Sequence, residues 1–456
     1  MEYPNTKLTH KVRLIILTTF IVAFFIIAPL VIMYTAGYHL DWKNLKNGPL
    51  KKTGAISIDV QPKNATVFLN GIKLKDKMPI RLNNIAQNKY SLRITAPNYF
   101  DWSKEIDVKE NQTNYIKEIS LIQKNKPENL INAKIDNLAI SYDGRFIIYS
   151  VQNKGQSTEI WLWDNTTQQT KKVYNLNKTE PVKILWAEKN DYAIVSDLTP
   201  PYSNLIIINP ASTEQINIAK NNPFINKFEW ENSTEPQLYY SDKENINLYS
   251  PITNNDSSVS KNTYLDWYME NGQLWTMQMD SSTKQYSVIR NTLGFSSVFN
   301  QLDSTDINLA TGQTEKENLR IVAARQNTLL LQNSKNSQII LLTNSAKYKI
   351  AADKFLISRY NNWWLIWSPL EIWTYSEGSE PNLLNRSGEH LQEVLPLDQY
   401  NTLALVWAEK TNVLFPYYLV THDLLTEKIT NVAADTINKI LYFTDKNKDG
   451  IWKLNY

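Results

Sequence analysis

The chain carries one long uninterrupted apolar run, Leu14–Met33 (LIILTTFIVAFFIIAPLVIM), and nothing of comparable length and apolarity follows it. Twenty residues at about 1.5 Å rise each make a helix of roughly 30 Å, the thickness of a bilayer's hydrocarbon core. Fourteen of the twenty are Leu, Ile, Val or Phe. That content favours insertion by on the order of 4–8 kcal/mol. Thr18 and Thr19 can return their hydroxyls to helix carbonyls, and Pro29 sits near the far end, where a lost donor costs little. Tyr34, Tyr38 and Trp42 follow, where an interfacial aromatic belt belongs. A buried core helix would show a polar face. A cleaved signal would have a shorter apolar region and a small-residue site, for which Thr35-Ala36-Gly37 is a faint match. The run is read as a retained transmembrane helix over residues 14–36. Lys7, Lys11 and Arg13 precede it, and Lys43, Lys46, Lys51 and Lys52 follow. Lys11 and Arg13 abut the helix, which places the tail, residues 1–13, in the cytoplasm and the domains outside.

The rest of the chain has no cysteine, so disulfides, thiolate metal sites and cysteine nucleophiles are all absent. The 48 basic and 45 acidic residues give a net charge of +3, which makes no case for a nucleic-acid partner. Aromatic and β-branched residues are plentiful (Tyr 25, Trp 14) and glycine is scarce (12), with Asn, Asp and Ser in the turns. This pattern points to an all-β protein.

Residues 37–52 read as a polar stalk broken by Gly48-Pro49. Short strands follow at Ala55–Val60, Thr66–Leu69, Ile72–Leu74, Ile80–Leu82, Tyr90–Thr95, Lys104–Val108 and Tyr115–Leu121. Asn70-Gly71 between two of them is a strong type I′ hairpin signal, because that turn needs positive φ at both positions. Seven short strands suggest a small β-sandwich over residues 53–122. Within it, Pro62-Lys63-Asn64-Ala65, the hairpin Val67–Gly71, Met78-Pro79, Lys89-Tyr90-Ser91-Leu92 and Asn98-Tyr99 occur in the order of the PEGA domain's motifs. The segment resembles that family, with Asn64 and Asn98 where the family has glycine. Asn tolerates the left-handed region best after glycine. The resemblance implies an envelope or surface-exposed module without catalytic residues. An immunoglobulin-like sandwich outside the family is the alternative.

A polar linker, residues 123–130, leads to a repeat over residues 131–456. Its unit is an apolar strand often closed by Trp, a polar turn, a second apolar strand, a loop and a third strand. Ser141, Trp186, Trp230 and Trp267 mark the same place in four copies, 45, 44 and 37 residues apart. Later copies are Leu319–Thr343, Phe355–Tyr375, Val394–Val420 and Ile437–Leu454, and residues 291–317 are a polar insertion. This period suits four-stranded propeller blades, which bury both faces only when stacked in a ring. The last copy is short, and a strand near Ile131–Ala139 is expected to complete it. Ser141–Ser150 and Glu159–Asp164 (SYDGRFIIYS…EIWLWD) resemble the blades of the Tol-Pal translocation protein and the dipeptidyl-peptidase IV family. The predicted fold class is therefore mainly β: a single N-terminal transmembrane helix, a small PEGA-like β-sandwich, then a seven- or eight-bladed β-propeller.

No stretch carries a catalytic signature. There is no nucleophile elbow and no glycine-rich phosphate loop. His10, His39, His390 and His422 lack ligating spacing. Asp445–Gly450 (DKNKDG) begins like a calcium loop, but its twelfth position is Tyr456, where a bidentate Glu is needed, so a hairpin turn is expected. Trp363, Trp364, Trp367 and Trp373 read as blade core rather than a stacking platform. No catalytic, cofactor-binding or metal-ligating residue is singled out, no cofactor is expected, and the protein is not read as an enzyme. The sequence points to an outward-facing binding or scaffold protein of the cell envelope, held in the membrane by its N-terminal helix. The propeller would be a platform for an envelope protein, a peptide or a polysaccharide. The alternatives are a structural part of a surface layer or complex, and a degenerate hydrolase or glycosidase in the propeller funnel. Convergent carboxylates at the central channel would favour the last.

Overall fold

The computed structural model describes residues 9–35, 38–40, 50–153, 155, 157–177, 179–283, 285–292, 295–302, 319–333, 335, 337–360 and 363–456. Most of the tail, residues 41–49 of the stalk, and residues 303–317 of the polar insertion lie outside the described residues.

The apolar run lies in a helix, His10–Thr35, which begins four residues before Leu14. The Thr18 and Thr19 hydroxyls donate to the Leu14 and Ile15 carbonyls at 2.9 and 2.8 Å, so neither presents an unmet polar group. The helix is long and apolar enough to cross a membrane, and its apolar window is not buried in the protein.

The chain divides into two compact units, residues 1–124 and 125–456. In the first, two four-stranded sheets carry the β module. One holds Tyr38–Leu40, Leu50–Gln61, Ile80–Ala86 and Thr113–Ser120; the other holds Thr66–Leu69, Ile72–Lys73, Asn88–Thr95 and Trp102–Val108. The stalk is thus corrected: Tyr38–Leu40 pairs with Leu50–Lys52, so part of it is sheet. All seven expected strands are present. Asn70 and Gly71 have φ of 49° and 79°, the I′ geometry, and Asn98 has φ 63°, as a glycine substitute must. Alternating inward residues such as Ile56, Ile58 and Val60, with Leu92, Ile94 and Trp102, form the core. At Gly54 a side chain is forbidden by close backbone: a Cβ would come within 2.3 Å of the Lys109 carbonyl.

The second unit is a β-propeller. Its described residues form eight four-stranded antiparallel sheets. The first strands of the sheets are, in order, Asn137–Ile140, Val182–Trp186, Lys227–Trp230, Asp266–Glu270, Leu319–Arg325, Lys354–Ile357, Leu391–Pro396 and Ile429–Asp435. Second strands carry continuous apolar runs, Phe146–Tyr149 in the first sheet and Leu403–Trp407 in the seventh, because neighbouring sheets cover both faces. Outermost strands such as Asn255–Lys261 are polar and exposed. Packing runs from each sheet to the next: Phe146 and Ile148 of the first meet Ile184 and Val195 of the second, and Ile147 of the first meets Tyr442 and Ile451 of the eighth.

Ring closure uses both ends of the unit. The eighth sheet takes its fourth strand, Glu128–Ile131, from the segment expected to be linker, a few residues before the expected position. Ile131 lies opposite Ile451 and Asn129 opposite Trp452. Gly450 makes this possible, since at φ +119° a Cβ would lie 2.5 Å from the Ile131 carbonyl oxygen. Asp445–Gly450 forms the tight turn between Ile440–Asp445 and Lys448–Asn455, with Asp445 paired to Lys448.

The repeat register also needs correction. Trp186 and Trp230 are equivalent, opposite Ala193 and Leu238. In the first and fourth sheets that place belongs to Ile140, opposite Ile147, and Met269, opposite Leu274. Ser141 is one residue late and Trp267 two residues early. The aromatic spacing misled because the fourth sheet puts its Trp one inward-facing position nearer the strand's start.

Candidate functional site

The eight first strands line the central channel and run the same way. Their starts gather at one mouth and their ends at the other. Both mouths hold charge, arranged differently.

At the first mouth, Lys227 Nζ donates to both carboxylate oxygens of Asp266 at 3.1 Å and to the Ile321 carbonyl at 2.8 Å. The Ile321 amide donates to Asp266 at 2.6 Å. The two side chains are only 14% and 10% exposed. The pair ties the third, fourth and fifth sheets together. A polar cavity of about 770 Å³ opens beside it, walled by Asn226, Asn262, Tyr264 and Arg320 among others.

At the second mouth, Arg325 ends the fifth sheet's first strand and reaches across the channel. Its Nη1 donates to the Ser358 carbonyl at 2.9 Å, and its Nη2 lies 3.9 Å from Glu188 of the second sheet. In a ring of eight, a bar between the second and fifth sheets leaves the third and fourth on one side. Those two supply Glu229, Glu231 and Glu270. Glu231 and Glu270 are 6% and 8% exposed. Burial raises all three carboxyls, Glu229 and Glu270 to about 7 in each case, against the attraction of Lys227 for Glu229 and of Arg325 for Glu270. Glu188 and Glu231 push Glu270 up further. Asn271 donates to Glu270 at 3.0 Å and Asn232 donates to it as well, while Glu231 accepts from the Tyr239 hydroxyl and the Gly272 and Asn271 amides, with its Oε2 buried and without a partner. Tyr268, buried beside Glu229 and Glu270, titrates well above the usual phenol range.

On the other side of the bar lies a cavity of about 360 Å³. Aliphatic residues of the first, second, sixth, seventh and eighth sheets wall it, including Leu138, Ile184, Leu356 and Val432. Glu188 belongs to this wall as well as to the bar, and Trp186 Nε1 in the same wall is buried without an acceptor. Tyr360 sits on the rim, 45% exposed, its hydroxyl 2.5 Å from that of Thr436. The mouth is thus half acidic and half apolar, with buried donors and acceptors unmet in both halves.

None of these carboxylates stands out in the sequence. Their only signal is position: Glu229 and Glu270 interrupt strands that are otherwise aromatic or apolar, FEW and WYME. The tryptophan cluster is blade core, as read: Trp364 and Trp367 are 1% and 3% exposed, and Trp363 and Trp373 pack against the same core clusters. His10 is in the helix and His39 in the first unit's sheet, while His390 precedes the seventh sheet's first strand and His422 lies in that sheet's last strand. Among the described residues no cluster of His, Asp and Glu has a metal-holding arrangement.

No curated protein shows significant sequence similarity to the chain. Several solved structures are similar in fold. The β-propeller domain of Cps50 (Swd1) from Myceliophthora thermophila is 8% identical, with 72% of this chain and 99% of that chain covered, at a TM-score of 0.45. The RRP9 WD40 repeats are 9% identical over 72% of this chain and 97% of that one, at 0.42. The propeller domain of the Trilobed protease from Pyrococcus furiosus, described as having an open velcro topology, is 10% identical over 80% and 93%, at 0.34. These likenesses concern fold alone. The first unit has a clearer relation, carried by the turn, hairpin and strand motifs described above: residues 53–121 match the PEGA domain family.

Proposed function

We propose that this protein is a non-enzymatic scaffold of the cell envelope. The N-terminal helix anchors it in the cell membrane with the tail in the cytoplasm, and the PEGA module and propeller face outward. The second mouth of the propeller is the platform on which a partner protein docks. The observation that supports this most is the mouth itself, where an aliphatic cavity of about 360 Å³ has Glu188 and Trp186 in its wall and several buried polar atoms at the same mouth lack partners. Such atoms are costly to leave unmet.

The convergent carboxylates also favour the hydrolase reading, because a glutamic acid near pKa 7 suits a general acid. Binding is the stronger reading. Glu231 and Glu270 are almost wholly buried, and the cavity across the bar from them is walled mostly by aliphatic side chains rather than polar groups fit to hold a sugar.

The full chain, purified with crosslinked partners from membranes, tests the reading. A partner recovered by the wild type should be lost from Tyr360→Ala and Arg359→Glu, which alter the rim. It should be retained by Phe295→Ser on an outermost strand, where Phe295 is 82% exposed. Loss from the last variant alone would move the platform to the outer wall. Protection of the domains from protease added to intact cells would reverse the orientation.

A further inference from the structure

We infer that the second mouth takes a polypeptide segment bearing a basic group beside an apolar side chain, the basic group between Glu231 and Glu270 and the apolar one in the cavity under Leu356. The inference rests on the platform reading and narrows its ligand.

The mouth holds buried polar groups that lack partners. Three carboxylates converge on the acidic half, and the cation nearest Glu270 is committed elsewhere: Arg325 donates to the Ser358 carbonyl and faces Glu188. Glu231 Oε2 and Asn232 Oδ1 are buried acceptors with no donor. Trp186 Nε1, in the wall of the apolar half, is a buried donor with no acceptor. A ligand that satisfied this set would bring a cationic donor to the carboxylates, a carbonyl to Trp186 and an apolar body to the cavity. A peptide carries all three within one or two residues. A simple metal ion supplies only the first, and the described residues offer it no cluster. A neutral or N-acylated sugar supplies no cation, and an amino sugar supplies no aliphatic side chain for the cavity. The bar of Glu188 and Arg325 is the natural hinge between the halves, since Glu188 is 48% exposed and can turn toward an incoming cation.

The test uses the full chain in detergent micelles and a panel of tripeptides pairing Lys or Arg with Leu, Phe or Trp. Each is matched by a neutral twin carrying acetyl-lysine or citrulline. Basic members should bind saturably, and their twins at least tenfold more weakly. Glu270→Gln should weaken the basic peptides about tenfold while leaving the twins and the melting temperature of the apo protein at pH 6 unchanged. Because the bound cation favours the ionised carboxylates, affinity should rise several-fold from pH 6 to pH 8 in the wild type and rise less in Glu270→Gln, where Glu231 alone of the two still titrates. Glu188→Gln, at an exposed position, gives a second variant that does not depend on core packing. Equal binding of basic and neutral peptides, or of wild type and Glu270→Gln, would overturn the inference and leave the platform standing. Absence of saturable binding by every basic member would also overturn it. If rim variants then kept their crosslinked partner, the platform reading would fall with it.

Discussion

The two mouths of the propeller hold buried charge in opposite ways. At the first, Lys227 and Asp266 meet each other and the Ile321 backbone, so each of the two has a counter-charge and a hydrogen bond. At the second, Glu231 and Glu270 are as deeply buried, yet the cation nearest Glu270 is engaged with Ser358 and Glu188. A buried ion pair fixes structure, because breaking it strands a charge. Buried carboxyls without such a pairing cost stability when ionised and keep their protons near neutral pH. The first mouth is therefore a clamp among three sheets, and the second holds buried carboxyls without a dedicated counter-charge.

The largest expected effect is at the clamp. Lys227→Met leaves Asp266 buried without its cation and should destabilise the full chain by about 3–5 kcal/mol. Chemical denaturation followed by tryptophan fluorescence would measure it. Adding Asp266→Leu should return part of the loss, though not all, because the Ile321 amide then lacks its acceptor. If Lys227→Met unfolds no more easily than wild type, the clamp carries no structural load and the two mouths do not differ in kind.

What the sequence made legible follows the same physics. The anchor, the PEGA hairpin at Asn70-Gly71 and the apolar second strands could be read because each has a local signature. The outermost strands could not: Asn255–Lys261 (NDSSVSK) faces solvent and has the composition of a loop, so each unit showed three strands instead of four. The closing strand is expected from the short last copy, but its bounds, Glu128–Ile131, fall a few residues early because its partner lies over 300 residues away in the chain and leaves no local mark. The acidic mouth was illegible for a different reason. Glu188, Glu231 and Glu270 come from three sheets, and only ring closure brings them together.

The second mouth predicts an opposite and smaller effect. Glu270 has a carboxyl raised from 4.5 to about 7 by burial. Between those values the native state keeps a proton that the unfolded state has released. Its stabilising share is therefore complete below about pH 4.5 and is lost as pH rises through 7. Glu229 adds a slope of the same sign over the same window. Stability of the unliganded chain should fall from pH 5.5 to 8. Glu270→Gln, which mimics the protonated form, should flatten part of that fall and stabilise the protein at pH 8 by on the order of 1–2 kcal/mol. A destabilised Glu270→Gln at pH 8 would mean that the ionised carboxylate is already paired, which would erase the contrast between the mouths.

The smallest effect calibrates both. Lys453 and Glu128 meet at 3.2 Å on the closing strand pair, with side chains 32% and 65% exposed. Their position suggests importance, since they sit where the two ends of the ring join. Their exposure argues otherwise, because water and salt screen such pairs to well under 1 kcal/mol. Closure rests instead on the backbone pairing of Ile131 with Ile451 and on the space left by Gly450. Lys453→Ala should change stability by less than about 0.5 kcal/mol, and raising the salt to 1 M should remove the remainder. A loss above 1 kcal/mol would show that exposed charge holds the seam. Burial would then no longer be what separates the charges that matter in this propeller from those that do not.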